Sequence, residues 1–302
     1  MYTDEAQPFS LILMTASVVP QDDFLMAVWS IQVLNYSDVV VATLLVYDSL
    51  LRLQQDATFL AQANMNVPKF LYIGARYMPL LIPIPNLMFD QVPHMKDVDC
   101  QTLGDLGAAF SMMVAFCAEC IFVLRTCAMW EVKRPLRWIM FMIVSGMAVA
   151  GLIIFSFVPK QYVVVPDIST CQPFQTAKTP GLVAAFLTLL MLEFVLVIFT
   201  TIRAAKNYRS TPIPLLTRLL THHIFYYGCG LLFSTINVLC LALFEYENAA
   251  VFFSPQIIMH AILATRMHYQ LWESENVQKN DQSEQHPMSS LRWQPAEEIA
   301  TT

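Results

Sequence analysis

Long apolar runs fill most of this chain and decide how it can fold. The cleanest of them, WIMFMIVSGMAVAGLIIFSFV, occupies residues 138–158 and contains no ionisable residue. The hydrocarbon core of a bilayer is ~30 Å thick, and a helix needs about 20 predominantly apolar residues to cross it. Seven runs meet this requirement, with approximate limits Ile31–Leu51, Phe70–Phe89, Leu103–Met129, Trp138–Val158, Gly181–Ile202, His222–Phe244 and Ala249–Ala264. We predict an all-α membrane protein, a bundle of about seven transmembrane helices, with six or eight spans as the alternatives.

The composition agrees with a membrane environment. Hydrophobic residues make up 56% of the chain and charged residues 13%, against ~45–50% and ~25% in soluble domains. The formal net charge of -6 argues against a nucleic-acid partner, because phosphate binding requires a concentrated basic surface. The predicted partner is therefore the lipid bilayer, and no nucleic acid.

Lysine and arginine are distributed unevenly between the runs, and this asymmetry predicts an orientation because basic loops stay on the cytoplasmic side. With the N-terminus outside, twelve of these residues lie in inner segments and three in outer loops. We predict a short extracellular segment over residues 1–30, a seven-helix transmembrane domain over residues 31–268 and a disordered cytoplasmic tail over residues 269–302. The tail is predicted because it has too little apolar content to fold alone. The plasma membrane is the default location.

Two cysteines fall on the same side of the membrane in this orientation. Cys100 precedes the third run and Cys171 lies in the loop after the fourth, so both face the oxidising compartment. We predict a disulfide between them, with two unpaired thiols as the alternative. Cys117 and Cys120 form C-A-E-C inside a run, but no second pair completes the spacing of a zinc site. The sequence therefore predicts no metal site and no cofactor.

Charged side chains inside the runs are candidates for specific contacts, because each costs roughly 2.5–3.5 kcal/mol at the centre of a span and therefore usually faces a partner or a cavity. Asp48 lies near the inner end of the first run, and Arg76 lies ~10 Å into the second run from the inner side at helical rise. We predict that they form an ion pair. The pair is either a switch or a static clamp between adjacent helices.

Glu119 in the third run and Glu193 in the fifth are the deepest acids. Either could bind a ligand amine, a cation or a proton, and the alternative is a neutral carboxyl group buried by hydrogen bonding. Asp105 lies nearer the outer mouth, where it could line a ligand vestibule or face the headgroups. We predict that these three acids form a ligand site or an ion pathway.

Arg125 occurs in LRTCAMW at the inner end of the third run. A long basic side chain at this depth can extend toward the headgroups. The alternative is an inner contact with a cytoplasmic partner, which the basic loops EVKRPLR and RAAKNYRSTPIPLLTR favour. We predict that Arg125 marks the partner-facing end of the bundle.

No catalytic pattern is present in the sequence. His260 lies inside the seventh run and His222-His223 begins the sixth, but no H-x-x-x-H or H-E-x-x-H repeat occurs, and neither does a Walker-type phosphate loop. We predict that the protein is not an enzyme.

The motifs Tyr47-Asp48, Arg76-Tyr77, Cys100 and Arg125–Trp130 jointly resemble those of a large family of uncharacterised fungal seven-helix membrane proteins, abundant in mushroom-forming fungi and catalogued as a domain of unknown function. The resemblance covers roughly residues 35–270. The chain departs from the family pattern after the first motif and at the start of the sixth run. The resemblance implies an integral membrane protein with a receptor-like fold, and it supplies no ligand and no reaction.

Two functions fit this sequence. In the first, an outer vestibule with Glu119 and Glu193 at its floor senses a small-molecule ligand, and the inner face around Arg125 relays to a cytoplasmic signalling protein. In the second, the same acids carry a proton or a cation through a transporter or channel. Transporters usually contain internal repeats, and none is detectable between the two halves of the chain, so the sequence favours the receptor.

Overall fold

A computed structural model describes residues 21–63, 65–85, 97–130, 134–157, 161–164, 171–174, 180–210, 214–244 and 249–289. Within these residues, seven long helices follow one another: α1 (Gln21–Gln62), α2 (Val67–Tyr77), α3 (Asp97–Met129), α4 (Arg134–Phe157), α5 (Pro180–Ser210), α6 (Pro214–Leu243) and α7 (Phe253–Ser289). Two short strands, β1 (Gln161–Val164) and β2 (Cys171–Phe174), form an antiparallel hairpin between α4 and α5.

Four helical segments are long and apolar enough to cross a membrane: Gln32–Gln62, Thr102–Met129, Val183–Lys206 and Ile224–Leu243. The described apolar stretch of α4, Trp138–Gly151, is shorter. These segments indicate an integral membrane protein. The count of seven spans and the orientation with the N-terminus outside stay predictions.

The second apolar run changes helix type where its prolines begin. Helix α2 ends at Tyr77, and a 3-10 turn, Met78–Leu81, continues the chain with Pro79 in its first positions. Proline has no backbone N–H to continue an α-helical ladder. The backbone therefore forms a tighter 3-10 turn here, and the second apolar run is not one continuous α-helix.

Two helix ends differ from the sequence prediction. Helix α1 begins at Gln21, before the predicted start of the span at Ile31. Helix α7 continues to Ser289, so residues 269–289 are helical where a disordered tail was predicted. Tyr269 and Trp272 explain part of this difference, because their rings pack against Phe59 of α1 at centroid distances of 6.4 and 5.1 Å. The Glu, Gln and Lys residues that follow are good helix formers.

Helix α3 lies at the centre of the bundle and contacts α2, α4, α5 and α7. Small side chains, among them Cys117, Ala118 and Cys120, are buried along it and let the neighbouring helices approach closely. Gly74 of α2 shows how close this approach is, since a Cβ atom there would lie 2.7 Å from the sulfur of Cys117. This packing brings the polar side chains of α3, α5 and α7 to one point.

Helix α4 has a broad apolar face that no other described element covers. Trp138, Ile139, Met142 and Ile143 are all more than half exposed, and so large a patch on a protein in water would promote association. Lipid chains are the natural cover for this face, which agrees with a position at the edge of a membrane bundle.

Candidate functional site

Three helices contribute one buried ionisable side chain each to a single point inside the bundle. Glu119 comes from α3, Glu193 from α5 and His260 from α7, and one potential ligand atom of each lies within 4.8 Å of the other two. All three residues are at most 5% exposed. We call this group the acid–histidine cluster.

A chain of hydrogen bonds holds Glu193 in place. Its Oε1 atom accepts a hydrogen bond from Ser234 Oγ of α6 at 2.7 Å and lies 2.7 Å from His260 Nε2. Gln256 donates from Nε2 to the same serine oxygen at 2.6 Å, and Asn237 donates to Gln256 Oε1. The carboxylate is therefore oriented by two further layers of side chains from α6 and α7.

The surroundings of His260 determine which nitrogen faces the acids. Its Nδ1 lies 2.8 Å from the carbonyl oxygen of Gln256, which can only accept, so Nδ1 carries a proton. Its Nε2 points at Glu193, and Gly230 of α6 lies opposite, where a Cβ atom would come within 3.3 Å of Nε2. The ring therefore presents Nε2 to the carboxylates, with space beside it that a larger residue at position 230 would reduce.

One oxygen of each glutamate has no hydrogen-bond partner among the described residues. Glu119 Oε2 and Glu193 Oε2 are both buried and unpaired. Two carboxylates this close repel each other when both are ionised, and burial adds to the cost of charging them. The cluster consequently favours a positive charge or a proton close to its unpaired oxygens.

A second polar group joins α1, α2 and α7. Arg76 of α2 donates from Nη1 to Asp48 Oδ2 at 2.5 Å and from Nε to Asp56 Oδ2 at 2.7 Å, and Nη2 donates to the backbone oxygen of Asp48 at 3.2 Å. Tyr72 Oη donates to Asp56 Oδ1 at 2.5 Å. The structure thus brings Asp48 and Arg76 together and adds Asp56 as a second carboxylate partner.

Helix α7 completes this group with Arg266, which donates from Nη2 to Asp48 Oδ1. Arg52 lies at the margin, with its Nε 3.8 Å from the same oxygen. We call these six residues, Asp48, Arg52, Asp56, Tyr72, Arg76 and Arg266, the arginine cluster. Every carboxylate oxygen in it has a donor.

Arg125 contacts the bundle itself at the end of α3. Its Nη2 lies 2.6 Å from His268 Nδ1 of α7 and 3.3 Å from the backbone oxygen of His268. Arginine only donates, so Nδ1 accepts and the histidine ring is neutral. Of the two roles predicted for this arginine, extension to the headgroups and contact with a cytoplasmic partner, neither describes the α3–α7 contact that the structure contains.

Asp105, the third predicted acid, lies apart from both clusters. Asp105 is exposed and precedes Glu119 by fourteen positions on α3, or about 21 Å at helical rise, so the structure does not bring it to the other two acids. The side chains of Cys100 and Cys171 lie outside the described residues, and their disulfide stays a prediction. The described cysteines, Cys117, Cys120, Cys127, Cys229 and Cys240, are free thiols.

Sequence reasoning missed several members of these groups. His260 lies 67 positions from Glu193, and nothing in the local pattern joins it to the two acids. Asp56 fell beyond the predicted end of the first span at Leu51, although helix α1 continues to Gln62. No local sequence signal marked Asp56, because its burial is visible only in the structure.

One comparison with known protein families gives a match. A model described as a family of unknown function (DUF6533) matches residues 36–81. This segment contains much of α1, all of α2 and the 3-10 turn, and so includes Asp48, Asp56 and Arg76. No curated protein matches the chain.

Proposed function

We propose that this protein is a receptor-like membrane sensor whose acid–histidine cluster binds the positively charged part of a small ligand. The observation that carries the proposal is the pair of unpaired, buried oxygens Glu119 Oε2 and Glu193 Oε2. Buried polar groups in folded proteins normally have partners, and an unpaired one calls for an explanation such as a missing ion or ligand.

The position of α7 supports a relay from the cluster to one end of the bundle. His260 and Arg266 are six positions apart on this helix, about 9 Å at helical rise, and each belongs to a different cluster. Helix α3 makes a parallel connection through Glu119 and Arg125, which meets His268 of α7. A shift of α7 on ligand binding would act on the arginine cluster and on the Arg125–His268 contact together. A cytoplasmic signalling protein at the plasma membrane would read this change.

A panel of cations tests the ligand site. The full chain in lipid nanodiscs is heated with and without a protonated amine such as tryptamine, with a monovalent ion and with divalent ions. At least one probe should raise the melting temperature of the wild type but not of Glu119→Gln. The control Asp105→Asn removes an acid from the same helix outside the cluster and should respond like the wild type. Equal responses of wild type and Glu119→Gln to every probe would overturn the proposal.

Backbone hydrogen exchange tests the relay. A probe that stabilises the wild type should change the exchange of amides near Arg125 and His268, because α3 and α7 connect the cluster to this end of the bundle. Unchanged exchange there, with ligand bound, would leave a binding site without a relay and would contradict the receptor.

A proton or cation carrier is the second candidate. The observation that favours it is the row of hydrogen bonds from Asn237 through Gln256 and Ser234 to Glu193, which continues a polar path from the start of α7 to the cluster. In liposomes containing a pH-sensitive dye, a carrier should acidify the lumen under a proton gradient and lose this flux in Glu119→Gln. The sensor should give no flux above empty liposomes.

A further inference from the structure

We infer that the acid–histidine cluster binds a divalent transition-metal ion, with Zn²⁺ as the ion that best fits its ligands. This inference rests on the proposed function, since it names the ligand class of the same site. It differs from the sequence analysis, which predicted that the protein has no metal site.

The geometry of the three ligand atoms supports a metal ion between them. Glu119, Glu193 and His260 each offer one oxygen or nitrogen, and no two of these atoms are more than 4.8 Å apart. Zn–N and Zn–O bonds are ~2.0–2.2 Å long. An ion midway between two atoms 4.8 Å apart would be about 2.4 Å from each, so small movements of the side chains bring the atoms to bonding distance. Glu193 Oε1 and His260 Nε2, now 2.7 Å apart and joined by a hydrogen bond, have to separate to admit it, and the proton that they share is released when the ion binds.

The hydrogen bonds around the cluster resemble the support that metal sites usually have. Metal-binding histidines commonly donate from the second ring nitrogen to a carbonyl or carboxylate, which fixes the ring and its tautomer. His260 makes such a contact from Nδ1 to the carbonyl oxygen of Gln256 at 2.8 Å, and this leaves Nε2 for the ion. Ser234 orients the Glu193 carboxylate in the same way.

Charge balance favours a divalent ion over a monovalent one. Two carboxylates and one divalent cation sum to zero charge when the histidine is neutral, and a neutral site is the least costly in a membrane interior. Glu119 and Glu193, each with one unpaired oxygen among the described residues, then share a cation that balances both of their charges.

The ligand types select among divalent ions. A mixed nitrogen and oxygen set with three protein ligands suits Zn²⁺ and related transition metals, whereas Ca²⁺ takes 6–8 oxygen ligands. Three protein ligands also leave a fourth position for water or for a group on a second ligand, which distinguishes this site from a closed structural zinc site with four protein ligands.

Zinc binding to the full chain in nanodiscs tests the inference. A colorimetric zinc chelator competes with the protein, and the measured quantity is the dissociation constant of the tightest site per chain. Glu119→Gln removes a ligand while keeping the side-chain shape, and it should weaken binding at least tenfold, because even supporting residues of a zinc site cost 10–100-fold in affinity. Wild-type affinity in this variant would overturn the metal site.

Two glycines on α6 give a matched steric test that leaves all ligands in place. A Cβ atom at Gly230 would lie 3.3 Å from His260 Nε2, whereas a Cβ atom at Gly228 would meet nothing within 4 Å. Gly230→Ala should weaken zinc binding, and Gly228→Ala should not. Equal affinities of the two variants would contradict a site at His260 Nε2.

X-ray absorption at the zinc edge identifies the ligands directly. The expected spectrum contains only nitrogen and oxygen neighbours at ~2.0–2.2 Å, because the inferred ligands are two glutamates and a histidine. A sulfur shell at ~2.3 Å would place the ion on cysteines such as Cys117 and Cys120 instead, and would overturn the inference.

The outcomes separate this inference from the proposed function. Stabilisation by an amine without zinc binding would refute the metal and keep the ligand site. Zinc binding at the cluster without altered hydrogen exchange near Arg125 would keep the metal and refute the relay. A lack of response to every cation would refute both.

Discussion

The arginine cluster and the acid–histidine cluster are both buried groups of charged side chains, yet they differ in how completely their carboxylate oxygens are paired. In the arginine cluster, both oxygens of Asp48 and both oxygens of Asp56 accept hydrogen bonds. In the acid–histidine cluster, Glu119 Oε2 and Glu193 Oε2 are unpaired. Arg266 Nε also lacks a partner among the described residues, but every carboxylate oxygen of the arginine cluster has a donor. Paired carboxylates favour a role in holding a particular helix arrangement, whereas unpaired ones favour the cation binding that we propose.

Hydrogen-bond pairing of the carboxylates distinguishes the two clusters better than burial does. Asp48 and Glu119 are 3% and 4% exposed, so burial alone would give them the same role. Perturbed ionisable groups gather at functional sites, but structural ion-pair networks contain them too. The hydrogen-bond partners of each carboxylate oxygen distinguish a structural role from a functional one. The two roles predict opposite effects on stability when the charges are removed.

Arg76→Gln should have the largest effect. It leaves Asp48 and Asp56 buried without their shared guanidinium, and breaking a buried pair in this way costs about 3–5 kcal/mol. We expect a loss of this size in the free energy of unfolding, measured by SDS titration of the purified protein. If the protein instead unfolds like the wild type, the arginine cluster is not the structural clamp described here.

Arg52→Gln is the matched control for that change. Arg52 also faces Asp48, but its Nε is 3.8 Å away and its side chain is 19% exposed. Partly exposed pairs of this kind contribute about 0–1 kcal/mol. A loss as large as that of Arg76→Gln would mean that net positive charge, and not the specific hydrogen bonds, stabilises the cluster.

Tyr72→Phe should have an intermediate effect. It removes the hydrogen bond to Asp56 Oδ1 and leaves one oxygen of that carboxylate unpaired, which makes the arginine cluster resemble the other cluster in this respect. We expect unfolding to become easier by about 1–3 kcal/mol. Tyr77→Phe, on the same helix but 37% exposed, should change stability by much less. Similar losses of stability in both variants would indicate that removing any tyrosine hydroxyl group destabilises the protein, and not specifically the loss of the hydrogen bond to Asp56.

Glu119→Gln should have the smallest effect on the protein without ligand. The amide has the same shape and removes a buried acid whose Oε2 has no partner, so we expect stability to stay within about 1 kcal/mol of the wild type or to rise. The same SDS titration measures it beside Asp48→Asn, which should be clearly destabilised. A comparable loss in Glu119→Gln would remove the distinction between the clusters.

The sequence predicts the helical class well because each span has to satisfy the bilayer by its own length and hydropathy. It predicts the ends of the helices less well, since they depend on contacts with distant residues. Tyr269 and Trp272 extend α7 by packing on Phe59, a residue more than 200 positions away. Neither ring carries a local signal for that contact.

In the two clusters, too, the sequence predicts the residues with a local signal and misses those that depend on distant contacts. Asp48, Arg76, Glu119 and Glu193 were identifiable because a charge inside an apolar run is costly wherever it lies. Their partners were not identifiable in this way. Arg266 lies after the predicted end of the seventh span, and His260 carries no charge penalty when neutral, so only the packing of α7 against α1, α2, α3 and α6 assigns them to a cluster.

The contacts between α1 and α2 bear on how the chain is made. Lys69 of α2 donates to the carbonyl oxygens of Leu60 and Ala63, at 2.8 and 2.7 Å, where helix α1 ends. With the bonds from Arg76 to Asp48 and Asp56, these contacts lie within residues 48–76. A ribosome completes this helical hairpin before it has synthesised α3. The hairpin can therefore enter the bilayer with Arg76 already paired to Asp48 and Asp56, and it offers Asp48 Oδ1 as an acceptor to which Arg266 of α7 binds when the last helix assembles.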